Sequence, residues 1–185
     1  MIHTTTVFQI KLTLHEIEPL IWRRFQIPAH QNLHELHLTL QAVMGWTDSH
    51  LYAFRQGGRY YGQPDDFEDL EAIDAKTTRL DQIVHGEGSE LTYEYDFGDY
   101  WQHTLVIEEI LDAEPGRSYP VCLAGSRACP PEDCGGTSGY QRLLEALRDP
   151  KHEDHIDMWL WAGEDFNPEA FRVDRVNEVL FRGQK

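Results

Sequence analysis

The sequence predicts an α+β fold: a mostly antiparallel sheet with a β-grasp-like N-terminal half, helices packed beside it, and a C-terminal helical segment. Three observations carry this. Short runs within residues 1–112 alternate apolar and polar side chains, the period of half-buried strands. Between two such runs, Leu33 to Met44 changes to helical spacing. Residues 113–185 open as loop and then carry helical periods only, so strands and helices are segregated rather than alternating. A length of 185 residues suits one domain, 1–185, with a sheet-rich region over residues 1–112 and a loop and helical region over residues 113–185.

The first strand is read from Val7 to Leu14, where Phe8, Ile10, Leu12 and Leu14 alternate, and the second from Ile21 to Ile27, closed by Pro28; the Glu18-Pro19 break makes the pair a hairpin. Asn32 is placed to cap a helix whose stripe is Leu33, Leu36, Leu40, Val43 and Met44, with Gly45 as its stop. Leu51–Phe54 and Arg59–Tyr61 read as strands joined through Gln56-Gly57-Gly58. Pro64–Ala75 is acidic and reads as a solvated, irregular excursion, with few apolar anchors to bury. Arg79–Val84 follows as a short helix or turn. Leu91, Tyr93, Tyr95 and Phe97 then give the clearest alternation in the chain, with Gly98-Asp99 as a two-residue turn into a partner strand, Trp101–Leu111. Three helices are expected after Pro115: one marked by Tyr140, Leu143, Leu144 and Leu147, one at His152–Trp161, and one begun by Asn167-Pro168 with Val173, Val176, Val179 and Leu180 facing inward.

Composition excludes several roles. No apolar run approaches the length that spans a bilayer, which argues against a membrane role. Met1 to Thr6 has no basic segment followed by an apolar stretch, so no secretory leader is read there. Three cysteines cannot all pair with one another, and with no leader they are expected as thiols or metal ligands in a cytoplasmic protein. Thirty-two acids against sixteen Lys and Arg give a net charge of -16, which repels a phosphate backbone and argues against direct nucleic-acid binding. The Arg23-Arg24 pair is too small a basic footprint to reverse that, and reads as solvated or paired with acids. There is no phosphate-binding G-x-x-x-x-G-K-[ST], no G-x-G-x-x-G after a strand, no G-x-S-x-G elbow and no H-E-x-x-H.

Two segments concentrate polar chemistry. In Tyr93–His103 a two-residue turn would pair Asp96 with Trp101 and Glu94 with His103, collecting Glu94, Asp96, Trp101 and His103 on one sheet face. A carboxylate beside an imidazole serves a general acid or base, or a metal ligand and its orienting partner; the bland alternative is a cross-strand ion pair. Trp101 is a candidate wall of a ligand pocket. In Ala128–Gly136 two prolines stiffen the chain before Glu132 and Asp133, and Gly135-Gly136 frees it again. Those acids either complement the positive end of the following helix or join Asp96, Asp99 and His103 as an oxygen-rich divalent-cation site. His50 is a candidate to reach the same cleft, or a polar cap. Cys122, Cys129 and Cys134, with His103 as fourth ligand, are the candidate set for a structural zinc; buried free thiols are the alternative.

Several of these segments together resemble the plasmid pRiA ORF-three-like family: Pro19-Leu20-Ile21-Trp22-Arg23-Arg24, Met44-Gly45-Trp46 with His50 to Phe54, Tyr95–Asp99 with Trp101 and His103, Ala128–Gly136 with Gly139-Tyr140, and Asn167–Phe171 with Val176-Asn177 and Leu180. The resemblance covers nearly the whole chain; the departures are Thr137-Ser138 in place of a proline-containing pair, and Arg172 where an acid is common. It implies a protein carried on plasmids, mobile elements and bacterial chromosomes, some relatives bearing the label of a resolvase-like passenger of an insertion element. This chain lacks the nucleophilic serine among arginines and the basic helical module that recombination needs. Relatives that lack one or another cysteine weigh against the zinc set. The expectation is therefore a cytoplasmic binding or accessory domain, associated with mobile elements, that recognises a ligand or protein partner through the Asp96–His103 hairpin and the Glu132-Asp133 loop. The alternative is a divalent-metal hydrolase of a phosphate ester or amide in which Asp96, Asp99, Glu132 and Asp133 hold the ion and His103 moves protons. A zinc-stapled structural protein is the third expectation.

Overall fold

The computed structural model describes residues 5–67 and 71–183; most of the Met1–Thr6 segment read for a leader, and some of the acidic excursion 64–75, lie outside them. Among the described residues eight strands form one sheet: β1 (Thr6–Leu14), β2 (Trp22–Pro28), β3 (Tyr52–Gln56), β4 (Arg59–Gly62), β5 (Ala72–Asp74), β6 (Glu90–Tyr95), β7 (Trp101–Asp112) and β8 (Val121–Ser126). Their order is β5-β4-β3-β6-β7-β1-β2-β8, antiparallel except for the parallel β4–β5 pair. Five α-helices accompany it among the described residues: α1 (Leu33–Met44), α2 (Leu80–Ile83), α3 (Gly136–Arg148), α4 (His155–Ala162) and α5 (Val173–Arg182). None of the described helices is long and apolar enough to cross a membrane.

Alternation decides which sheet face is dry. Phe8, Ile10, Leu12 and Leu14 of β1 meet Phe25 and Ile27 of β2, Leu105 and Ile107 of β7, and the Leu33, Leu36, Leu40, Val43 and Met44 stripe of α1 in one core that extends to Leu180 of α5. Helix α1 begins where the sequence places its cap: the Asn32 side chain accepts from the Glu35 N–H and Glu35 reaches back to the Asn32 N–H, and Gly45 ends it in the left-handed conformation at φ 100°. Its last turn contains no basic residue, and Arg23 from β2 supplies one, Nε donating to the Val43 carbonyl at 2.8 Å. That guanidinium is 1% exposed, donates also to the Trp22 and Ser126 carbonyls, and lies 4.1 Å from the Phe171 ring centroid, so it ties α1, β2, β8 and the C-terminal segment together instead of being solvated.

Four expectations are corrected. The acidic excursion ends in an edge strand, β5, with Ala75 buried behind it. Strand β8 was not anticipated, because Val-Cys-Leu-Ala-Gly-Ser has no alternation and sits in a proline-bounded loop. The last helix begins at Val173, not at Pro168: Asn167 Oδ1 takes the Glu169 N–H in a local turn and the Pro168 carbonyl is used by the Ala128 N–H. Val179, expected to face inward, is 53% exposed, while Leu180 is buried.

The hairpin carries the fourth correction. Its loop is five residues, Asp96 to Tyr100, with Asp96 and Tyr100 at φ 56° and 58°, so β6 and β7 pair Tyr95 with Trp101, Glu94 with Gln102 and Tyr93 with His103. This is one residue out of the expected register, and a slip of one exchanges the faces. Tyr93, Tyr95, Trp101 and His103 enter the core, and Glu94 instead meets Gln102 at 3.2 Å on the other face.

Candidate functional site

The hairpin loop and the Pro-Pro-Glu-Asp bend come together because the α1–β3 connection lies between them. Trp46, directly after the Gly45 cap, donates from Nε1 to the Pro130 carbonyl at 3.0 Å and stacks on Tyr95 at 4.8 Å. Glu132 accepts from the Thr47 N–H and hydroxyl and from the Tyr95 hydroxyl, the last two at 2.5 Å. Burial pushes the Glu132 carboxyl up, the three hydrogen bonds pull it down, and the net is below the usual carboxylate range. On the other side, Asp99 Oδ2 accepts from the Gly135 N–H at 3.1 Å. Gly136, at φ 67°, passes so close that a Cβ there would lie 2.6 Å from the Asp99 carbonyl oxygen. These contacts fix the bend to the hairpin, and they engage both oxygens of Glu132 and one of Asp99.

What remains open between the two segments is a set of three ligand atoms. His50 Nε2 lies 3.3 Å from Asp133 Oδ1 and 3.7 Å from Asp96 Oδ2, and one nitrogen and one oxygen from each carboxylate fall within 4.8 Å of one another. His50 Nε2 is buried and has no hydrogen-bond partner. Asp96 is preorganised: its Oδ1 accepts from the Gly98 and Asp99 N–H groups at 2.9 and 3.3 Å, leaving Oδ2 for the cleft. Asp96 and Asp133 both hold left-handed backbone, at φ 56° and 60°. Aspartate tolerates that region better than most residues, and strain of this kind gathers at functional sites. The Asp133 side chain is 72% exposed, so one side of the cluster faces water.

A second, buried layer positions His50. His37 and Gln41, one turn apart on α1, both reach the Tyr93 hydroxyl, at 2.8 and 3.0 Å. Gln41 Nε2 donates to that oxygen, and because the Asp48 carboxylate only accepts, His37 carries its proton on Nε2, donating at 2.7 Å, and takes the Tyr93 hydroxyl at Nδ1. The network fixes a neutral imidazole in one tautomer, in accord with burial pushing its pKa down to about 4 against the pull of Asp48. Asp48, itself at φ 58°, also donates its N–H to Gln41 Oε1, and the Ser49 N–H donates to the Tyr95 hydroxyl. Residues 46–50 are thereby held against α1 and β6 with His50 aimed at the two carboxylates. The sequence reading missed this layer; its signal was His37 and Gln41 four residues apart beside the Leu33–Leu40 apolar stripe.

The other candidates are elsewhere. His103 is fully buried, edge-on to Trp46 at 5.4 Å, with Nδ1 3.3 Å from the Tyr93 carbonyl, and burial pushes its pKa down to about 3. Trp101 is 1% exposed and lies in the core, and Glu94 pairs with Gln102 on the other sheet face. Cys122, Cys129 and Cys134 are free, and burial pushes their thiols up to about 11, 12 and 12. Among the described residues they do not converge with His103 on one ion, and the only cluster of three metal-ligating groups is His50, Asp96 and Asp133.

With this geometry in place, known proteins supply a frame. The model of a family described as plasmid pRiA4b ORF-3-like protein matches residues 6–175. A protein of Sinorhizobium fredii named as uncharacterized protein y4hQ is 40% identical over 177 residues, covering 95% of this chain and 91% of its own. The crystal structure of MM3350 from Methanosarcina mazei Go1, titled a protein of unknown function, has a TM-score of 0.83 and 38% identity, covering 92% of this chain and 97% of that one.

Proposed function

We propose, for a chain that belongs to the plasmid pRiA4b ORF-3-like family, that His50, Asp96 and Asp133 hold a divalent cation and that the protein is a metal-dependent hydrolase of the cytoplasm. The observation that carries the proposal is His50 Nε2, buried without a hydrogen-bond partner between two carboxylate oxygens at 3.3 and 3.7 Å. A buried ring nitrogen without a hydrogen bond is costly, and a cation bound through its lone pair matches it together with both carboxylates. One imidazole and two carboxylates are a donor set for zinc, manganese or iron, and three protein ligands leave positions for water and substrate. Such an ion lowers the pKa of bound water and polarises the bond to be cut. The chain's own role is to orient and protect. Asp96 is held by its two backbone N–H bonds, His50 by the Trp46–Ser49 connection, and Glu132 anchors that connection. The β-grasp-like character assigned to the N-terminal half, and the single domain 1–185, rest on the β1–β2 hairpin followed by α1 and on the continuous core.

The second reading is a binding or accessory domain of mobile-element biology that uses the same cleft without turnover. What favours it is openness: with Asp133 72% exposed, water is not excluded from the cluster. Calorimetric titration with Mn²⁺ and Zn²⁺ of wild type, His50→Ala and Asp96→Asn tests the site. One ion per chain is expected for wild type, with affinity lost in His50→Ala; equal binding by all three proteins would overturn the assignment. Screening the metal-loaded protein against ester, amide and phosphate substrates then separates hydrolase from binding domain.

A further inference from the structure

A groove of about 760 Å³ opens beside the cluster, between α3 and α4, and Asp133 stands on both. Its volume lies in the range of small-molecule pockets, about 300–1,000 Å³, and is small for a macromolecular partner. Leu143 and Met158 line it, and Trp161, half exposed, forms a wall. Helix α4 packs Met158 and Ala162 against the core but leaves Ile156, Trp159, Leu160 and Trp161 exposed, an apolar surface left for something else to cover.

The charges of the groove are one-sided. Asp133, Glu145, Glu153, Asp154 and Asp157 line it against a single guanidinium, Arg142. Among the described residues none of the four acids contributed by α3, α4 and the turn between them makes an ion pair. Carboxylates around an indole face and a short aliphatic floor are the chemistry that takes up an alkylammonium or guanidinium group on a methylene chain. The same charges repel a phosphate.

We infer that the α3–α4 groove recognises the cationic end of a small substrate, so that the hydrolase proposed above, on which this rests, acts on an amide bearing an aliphatic ammonium or guanidinium group and not on a phosphate ester. Water adds across the amide: its oxygen bonds to the carbonyl carbon, the carbon–nitrogen bond breaks, and both water protons end on nitrogen, giving a carboxylate and an ammonium. The leaving fragment or the acyl fragment carries the second cationic group in the groove.

Calorimetry with 1,5-diaminopentane and with inorganic phosphate tests this on the full chain. The diamine is expected to bind wild type and phosphate is not. Glu153→Gln with Asp157→Asn, both at surface positions, is expected to weaken the diamine about tenfold, at about threefold per exposed charge, with Mn²⁺ binding unchanged. His50→Ala is expected to lose Mn²⁺ and keep the diamine. No diamine binding, binding unchanged in the double variant, or phosphate binding in its place would overturn the groove assignment. Failure of Mn²⁺ to bind wild type would overturn the metal site alone, since the diamine titration does not require the ion.

Discussion

His103 offers a sharp measurement of how the hairpin register is enforced. In the fold its imidazole is surrounded by core, only Nδ1 has a partner, and burial pushes its pKa from 6.5 down to about 3. In the unfolded chain it regains the ordinary value near 6.5. Between those values the unfolded state binds a proton that the native state refuses. Stability is therefore full above about pH 6.5 and falls as the pH drops toward the folded pKa. At pH 5 linkage makes the loss about 2 kcal/mol for this one residue, and His37, whose pKa burial also lowers, adds a loss of the same sign. The perturbation is His103→Phe, which keeps an aromatic edge near Trp46, removes the proton site, and exchanges one hydrogen bond for the relief of a buried, unpartnered nitrogen. Those two changes are of similar size, so at pH 8 the variant is expected within about 1 kcal/mol of wild type. Urea unfolding at pH 8 and pH 5 reads the comparison: wild type is expected to lose about 2 kcal/mol more than the variant over that interval. Parallel losses would mean that His103 titrates normally in the fold, and that the one-residue slip placing it in the core is wrong.

Three further outcomes are expected. Gly136→Ala puts a Cβ 2.6 Å from the Asp99 carbonyl oxygen on left-handed backbone, and should cost about 2 kcal/mol or more, a fall in Tm of roughly 5 °C by calorimetry. Arg23→Met removes the donor to three carbonyls in a site 1% exposed, and should cost about 3 kcal/mol or more by urea unfolding. Glu132→Gln places an amide N–H₂ where the carboxylate accepts from Thr47 and Tyr95, loosens the Trp46–His50 connection, and should weaken Mn²⁺ about tenfold in a calorimetric titration while the fold persists by circular dichroism.

Much of the fold was legible because alternation and caps are local signals. The β1–β2 hairpin, the Asn32 box, the Gly45 stop and the β3–β4 turn all followed from residues within a few positions of one another. Strand β8 was not legible, because it pairs with β2 some hundred residues away and is held by a distant amide: the Cys122 N–H donates to Asn177 Oδ1 at 2.8 Å and Asn177 donates back to the Cys122 carbonyl. Nothing in Val121–Ser126 announces that partner. The last helix failed for a related reason, since Asn167-Pro168 carries a helix-start signature that its tertiary contact to Ala128 diverts into a turn.

The candidate site divides along the same line. That the hairpin and the Pro-Pro-Glu-Asp bend concentrate acids was visible, and so was His50 as a visitor to their cleft. Which acids are free was not, because that depends on hydrogen bonds between segments. Glu132 has both oxygens engaged by Tyr95 and Thr47, whereas Asp96 and Asp99 each commit one oxygen, Asp96 to its own loop and Asp99 to the Gly135 N–H. A carboxylate counted from sequence is a potential ligand, and each N–H or O–H that reaches it withdraws one of its lone pairs. Hydrogen bonds fill both oxygens of Glu132, and placement separates the other three acids: among the described residues Asp96 and Asp133 each bring an oxygen within 4.8 Å of the other and of the His50 nitrogen. His50 faces both, while the five-residue loop turns His103 into the core.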